Sequence, residues 1–187
     1  MSTVLLGSSM MFLATASAAD GFTVTSPTLK DGGTIPMSVV YDQMGCKGGD
    51  KSPELSWSGA PAGTKSFAVT MYDPDAKTGS GWWHWTVFNI PADVTHLAAG
   101  AGAEDSKDLP KGAIQGRTDF GFSHFAGPCP PVGDAPHHYH VTVYALKVAK
   151  LPVDKNASGA SVGDDIQQNM LAKAEIVGLS EGAADHK

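Results

Sequence analysis

The chain has 187 residues, 42% hydrophobic and 17% charged, which fits a globular protein with one sizeable core and excludes a disordered chain or a membrane bundle. Against 19 acidic residues stand only 13 Lys and Arg, a net charge of -6, so nucleic acid and anionic lipid surfaces are poor partners. With 22 glycines and 12 prolines, the chain reads as one of many turns.

The N-terminus carries VLLGSSMMFLA, Val4 to Ala14, an apolar run too short to span a bilayer, with small residues Ala16 and Ala18 behind it. This is the pattern of a secretory signal peptide over residues 1–19. It leaves 20–187 as a single domain without a transmembrane segment, in the periplasm or outside the cell. The opening Met-Ser-Thr lacks the usual Lys or Arg. A buried N-terminal helix is the alternative, and the Gly-Ser-Ser interruption opposes it.

Short β-rich segments follow. Phe22–Ser26, Met37–Asp42, Glu54–Gly59, Ser66–Asp73, His84–Pro91 and His137–Val148 read as strands bounded by Gly, Pro and polar turns. Ala98–Gly127, rich in glycine and poor in apolar residues, reads as a long excursion. One helix is expected near the C-terminus, capped by Ser161, with Asp164 and Asp165 in its first turn and Ile166, Met170, Leu171 and Ala174 on its apolar face. Glu175–Ser180 would close as a last strand. The fold class is therefore mainly β, two packed antiparallel sheets with a C-terminal helix. There is no internal repeat and no linker to a second domain.

Cys46 and Cys129 are the two cysteines. In an oxidising compartment they would form one bridge, closing a loop of about 80 residues and contributing roughly 4 kcal/mol. Two buried free thiols are the alternative.

The chemistry gathers in three segments. In YDPDAKTGSGWWHW, Asp73 and Asp75 fall at alternate positions and can point together; beyond the turn, Trp82 and His84 share one face and Trp83 and Trp85 the other. In PHHYH, His137 and Tyr139 share a face, with His138 and His140 on its reverse. GPCPPVG, Gly127 to Gly133, is a rigid loop whose prolines offer rings but no N–H. Two imidazoles, a phenol, a carboxylate, an indole and proline walls suit a small phosphate or carboxylate group.

Six motifs in this order, DPDA, WWHW, NIPA, GPCPPVG, HHY and VYAL, resemble the phosphatidylethanolamine-binding protein family, in particular its bacterial and archaeal Raf kinase inhibitor-like branch. The match covers about Phe22 to Gly178. The resemblance implies two antiparallel sheets in a Greek-key-like arrangement and an anion pocket. Carried over position by position, the ligand-binding residues are Asp73, Trp82, His84, Pro130, Pro131, His137 and Tyr139, with Asp75 beside Asp73. Two departures stand out. Lys77 replaces the second proline of the family's DPDAP and reads as a solvated cation at the rim, the alternative being a cation that favours a more acidic ligand, and FAGPCPP lacks the glycine-tyrosine common before this loop.

The function expected is a binding protein for a small anionic or zwitterionic ligand such as a phospho-headgroup, able to modulate another, unknown protein. Asp73 would orient His84 or accept an ammonium. No cofactor, metal or catalytic role is expected. The alternatives are a hydrolase built on an Asp/His pair in the same pocket and a secreted protease inhibitor using Ala98–Lys111. The oligomeric state, a homodimer included, is left open.

Overall fold

The computed structural model describes residues 21–182; the expected signal peptide lies outside them. The elements are β1 (Thr23–Thr25), β2 (Leu55–Ser58), β3 (Ser66–Asp73), β4 (Trp82–Pro91), β5 (His96–Leu97), β6 (Ile114–Gln115), β7 (His137–Leu146), α1 (Gly159–Asn169) and β8 (Met170–Ser180). They form two sheets, ordered β1-β2-β5 and β6-β4-β3-β7-β8. All strand pairs within them are antiparallel.

The larger sheet is buried on both faces, and its alternation explains how. Phe67, Val69 and Met71 of β3 join Tyr139, Val141, Val143 and Ala145 of β7 in the main core, together with Leu55 and Trp57 of the smaller sheet. Ala68 of β3 and Tyr144 and Leu146 of β7 point the other way, into a second cluster with Val162 and Ile166 of α1. Small sheet, large sheet and helix thus stack as three layers. No helix among the described residues is long and apolar enough to cross a membrane.

Three expectations need correcting. Met37–Asp42 is not a strand. Val39 and Tyr41 are buried, but their segment folds back on residues 48–51: Gly48 N–H donates to Tyr41 O and Asp50 N–H to Val40 O. Its apolar pattern reports burial without a ladder. The helix begins earlier than expected, because Ser158 is the cap and its hydroxyl accepts the Ser161 N–H at 3.2 Å. Asp164 and Asp165 therefore lie beyond the first turn.

The helix also ends earlier. Met170, with φ -68° and ψ 133°, is already extended, and Met170, Leu171 and Ala174 belong to β8. Ile166, Met170 and Ala174 satisfy a helical repeat, but Ala174, Ile176, Gly178 and Ser180 are buried with a period of two. Ten register pairs with β7 decide for the strand. The excursion is partly anchored, since β6 pairs with β4 and Phe125 N–H donates to Gly102 O.

Candidate functional site

Asp73 ends β3 on the same face as Val69 and Met71, and His137 and Tyr139 open β7 on the same face as Val141. The main core layer therefore passes at one end from aliphatic side chains into a group of polar ones. All are deeply buried: Asp73 is 2% exposed, His84 3%, His137 4% and Tyr139 1%. They border a cavity of about 510 Å³ whose other walls include Trp82, Phe120, Met44, Cys129, Pro130 and Pro131.

His84 reaches this group through a break in the ladder. Tyr72 pairs with Trp83 and Met71 with Trp85, so His84 is one residue too many for β3. Such a bulge rotates the strand, and it overturns the expectation that Trp83 and Trp85 share a face. Trp85 enters the main core, while Trp83 turns outward onto Tyr72, ring centres 4.6 Å apart. Trp82 and His84 both border the cavity.

The His84 Nδ1 lies 2.8 Å from the Ala126 carbonyl. A carbonyl only accepts, so Nδ1 carries the proton and Nε2 is the atom left for a ligand. Burial holds the imidazole below its ordinary pKa, with the Ala126 carbonyl and the Asp73 charge pulling the other way. The site thus presents a neutral ring. Phe120 and Tyr139 pack edge-on against it, at 5.3 and 5.1 Å.

Asp73 is held from three directions. Its Oδ1 accepts the backbone N–H of Asp75 and Ala76 at 2.8 and 3.1 Å, and its Oδ2 lies 2.8 Å from Nδ1 of His137. The histidine it orients is thus His137 rather than the expected His84. Burial, and then the Asp73 charge, push the Tyr139 phenol far above its ordinary value, so it stays a neutral donor.

Asp75 does not join the cavity. Its Oδ2 accepts the backbone N–H of His138 at 2.7 Å and lies 2.8 Å from His138 Nδ1. Those bonds hold its carboxyl below the usual range. The two carboxylates diverge because Asp75 follows the end of β3, where strand alternation no longer applies. His138 and His140 face away from the site, His140 Nδ1 lying 3.2 Å from Glu175 Oε2.

Two further residues belong here. Lys77 is exposed to solvent, as expected, but its Nζ also lies 2.6 Å from Asp134 Oδ1, and Asp134 Oδ2 is 3.4 Å from Nε2 of His137. Lys77 holds the Asp134 carboxyl below its ordinary value, with His137 adding to the effect. Asp134 and Phe120 were missed by sequence reasoning. The available signals were an acid three residues before His137 and an aromatic pair, Phe120 and Phe122, in a segment otherwise poor in apolar residues.

The wall beyond Ala126 is fixed by backbone contacts. Gly127 N–H donates to Asp50 Oδ1 at 2.7 Å, and Tyr41 N–H to Pro128 O at 3.0 Å. A Cβ on Gly127 would stand 1.9 Å from the Val39 carbonyl, so only glycine fits this approach. Cys46 and Cys129 are bridged, which resolves the open alternative for the disulfide.

Burial raises the Asp50 pKa from 3.8 to about 6, and Gly127 N–H opposes the shift. A carboxyl whose folded pKa is raised stabilises the fold below its unfolded pKa and loses that contribution as pH rises through the folded value. Asp50→Asn keeps an acceptor for Gly127 and removes the charge. It should be more stable than the parent at pH 7.5 by on the order of 1 kcal/mol, allowing for partial exposure, with the difference shrinking between pH 6 and 4. Thermal unfolding across that range checks it, and a gap independent of pH would contradict it.

A cavity of this size, walled by aromatic and proline rings around a few convergent polar groups, has the architecture of a small-molecule site in a β-protein. Residues 25–181 match the family described as phosphatidylethanolamine-binding protein, and the chain belongs to that family. YbcL of Escherichia coli K12 is 54% identical over 181 residues, covering 97% of this chain and 99% of its own. The crystal structure of E. coli YbcL, described as a new member of the mammalian PEBP family, superposes with a TM-score of 0.84 at 58% identity, covering 86% of this chain and 98% of that one. LppC of Mycobacterium tuberculosis, named as a lipoprotein, is 36% identical over 167 residues, 89% of this chain and 76% of its own.

Proposed function

We propose that the protein binds a small phosphate- or carboxylate-bearing headgroup in this cavity, with His84, His137 and Tyr139 as the donors and Trp82, Pro130 and Pro131 as the dry walls. The observation that carries the reading is the convergence of buried polar groups from β3, β4 and β7 on one cavity of about 510 Å³. Asp73 orients His137 through Nδ1, which sets its Nε2 at the cavity mouth, 3.4 Å from Asp134 Oδ2. A zwitterionic phosphoethanolamine group matches the site best, because Asp134 at the mouth is a carboxylate able to meet an ammonium. Modulation of a partner protein would follow from the occupied pocket. An exported setting suits the reading: the Cys46–Cys129 bridge needs an oxidising compartment, and LppC is named as a lipoprotein.

The neutral His84 makes a specific demand. Its Nε2 has a lone pair, so an anion lacking a proton of its own can bind well only if the ring takes one up. Binding raises the His84 pKa, and affinity tightens as pH falls, by up to about tenfold per pH unit. Sulfate, which has no proton to offer in this range, is the clean probe. Following the His84 and His137 ring resonances during titration with sulfate, phosphate and phosphoethanolamine should show saturation, with sulfate tighter at pH 6 than at pH 8. His84→Ala should weaken binding roughly 100-fold, as expected for a lost charge-assisted bond. Unmoved ring resonances in the parent protein would end the proposal.

A hydrolase remains the second reading because Asp73 and His137 form a close acid–base pair, 2.8 Å apart. Incubation with phosphoesters decides it: turnover lost in Asp73→Asn would favour catalysis over binding alone.

A further inference from the structure

Asp134 holds an unusual position for an acid beside an anion site. It lies on the loop between the proline wall and β7, borders the cavity, and its side chain is 16% exposed, against 76% for its partner Lys77. Its two oxygens serve opposite walls: Oδ1 meets Lys77 Nζ at 2.6 Å, from the β3–β4 turn, and Oδ2 faces His137 Nε2 at 3.4 Å, on β7. His137 spends its other nitrogen on Asp73. The carboxylate of Asp134 therefore bridges an ammonium and an imidazole at the cavity mouth, which is the contact pattern an incoming anionic group would make.

We infer that Asp134 is a built-in competitor: its carboxylate occupies the seat of the ligand's anionic group between His137 and Lys77, and a ligand binds by displacing it. This rests on the anion-pocket reading above and sharpens its ligand class. A carboxylate tethered three residues from His137 acts at high effective concentration, so a free monocarboxylate offers the same chemistry at a disadvantage. A phosphate group brings more charge and a third oxygen, enough to reach His137, Lys77 and the deeper donors together. The site thereby selects phosphate monoesters over simple carboxylates. Lys77 has two successive partners, Asp134 in the empty protein and the phosphate in the occupied one.

The test is calorimetric titration of the mature chain with inorganic phosphate and with acetate, comparing the parent, Asp134→Ala and Asp134→Asn. Lys77 is largely exposed and Asp134 lies on a loop outside the sheets, so both variants should fold with little change in stability, which thermal unfolding checks. With the competitor gone, phosphate should bind on the order of tenfold more tightly, and acetate should show saturable binding absent from the parent. Adding Lys77→Met to Asp134→Ala should then weaken phosphate several-fold. Equal phosphate affinity in the parent and both Asp134 variants overturns the competitor while leaving the pocket intact. A flat phosphate titration in all of them removes the pocket reading and the competitor with it.

Discussion

Asp73→Ala is expected to cost about 3–5 kcal/mol of stability, since each buried donor left without its acceptor costs roughly 1–3 kcal/mol, and to abolish measurable phosphate binding. Three donors lose their acceptor at once: the amides of Asp75 and Ala76 and the Nδ1 of His137. The amides lie at the start of the β3–β4 turn, which carries Ala76, Lys77 and Thr78 into the cavity wall. Without them that wall loosens, and His137 loses the bond that sets its ring. Asp73→Asn should be milder, since its carbonyl oxygen can still accept the two amides while its N–H₂ cannot accept from His137. Urea unfolding alongside a phosphate titration separates the cases. A loss below about 1 kcal/mol in Asp73→Ala, with binding retained, would show that the carboxylate organises neither turn nor ring.

Removing the Cys46–Cys129 bridge should have an effect of similar size by a different route. The bridge spans a sequence separation of 83 residues, and a closed loop of that length lowers the entropy of the unfolded chain by an amount worth about 4 kcal/mol. The bridge also ties Met44 and the proline loop together, and Met44, Cys129, Pro130 and Pro131 all border the cavity. Paired Cys46→Ser and Cys129→Ser substitutions should therefore lower the unfolding free energy by about 4 kcal/mol and weaken headgroup binding in the folded protein. Equilibrium unfolding with and without reductant measures the first, and titration well below the unfolding midpoint the second. If reduction leaves both unchanged, the 37–51 loop is held by its backbone bonds and by the tight Gly127 contact alone.

Much of the site could be read from residue order because strand alternation is a local property. In DPD and HHYH, the neighbours of each residue along the chain settle which side it takes, and Asp73, His137 and Tyr139 follow that rule while pairing holds. Asp75 departs from it because β3 has ended and the free backbone of His138 offers a better bond. The tryptophan cluster departs for another reason. The insertion at His84 exists only relative to β3, so no inspection of WWHW by itself reveals which residue lies outside the register. Lys77 and Asp134 are 57 residues apart, and their contact depends on two turns brought to one mouth.

The order of residues by itself determined the β class, β3 in full, the approximate extents of β4 and β7, and the kinds of group available for an anion. These follow from side-chain volume, β-branching and a period of two, all contained within a few neighbouring positions. Tertiary structure alone decided the bulge that turns His84 toward the cavity, the choice of His137 as the partner of Asp73, and the early change from helix to strand at Met170. Each of these depends on a strand or loop distant along the chain, whose hydrogen bonds and packing outweigh a local preference worth only a fraction of a kcal/mol per residue.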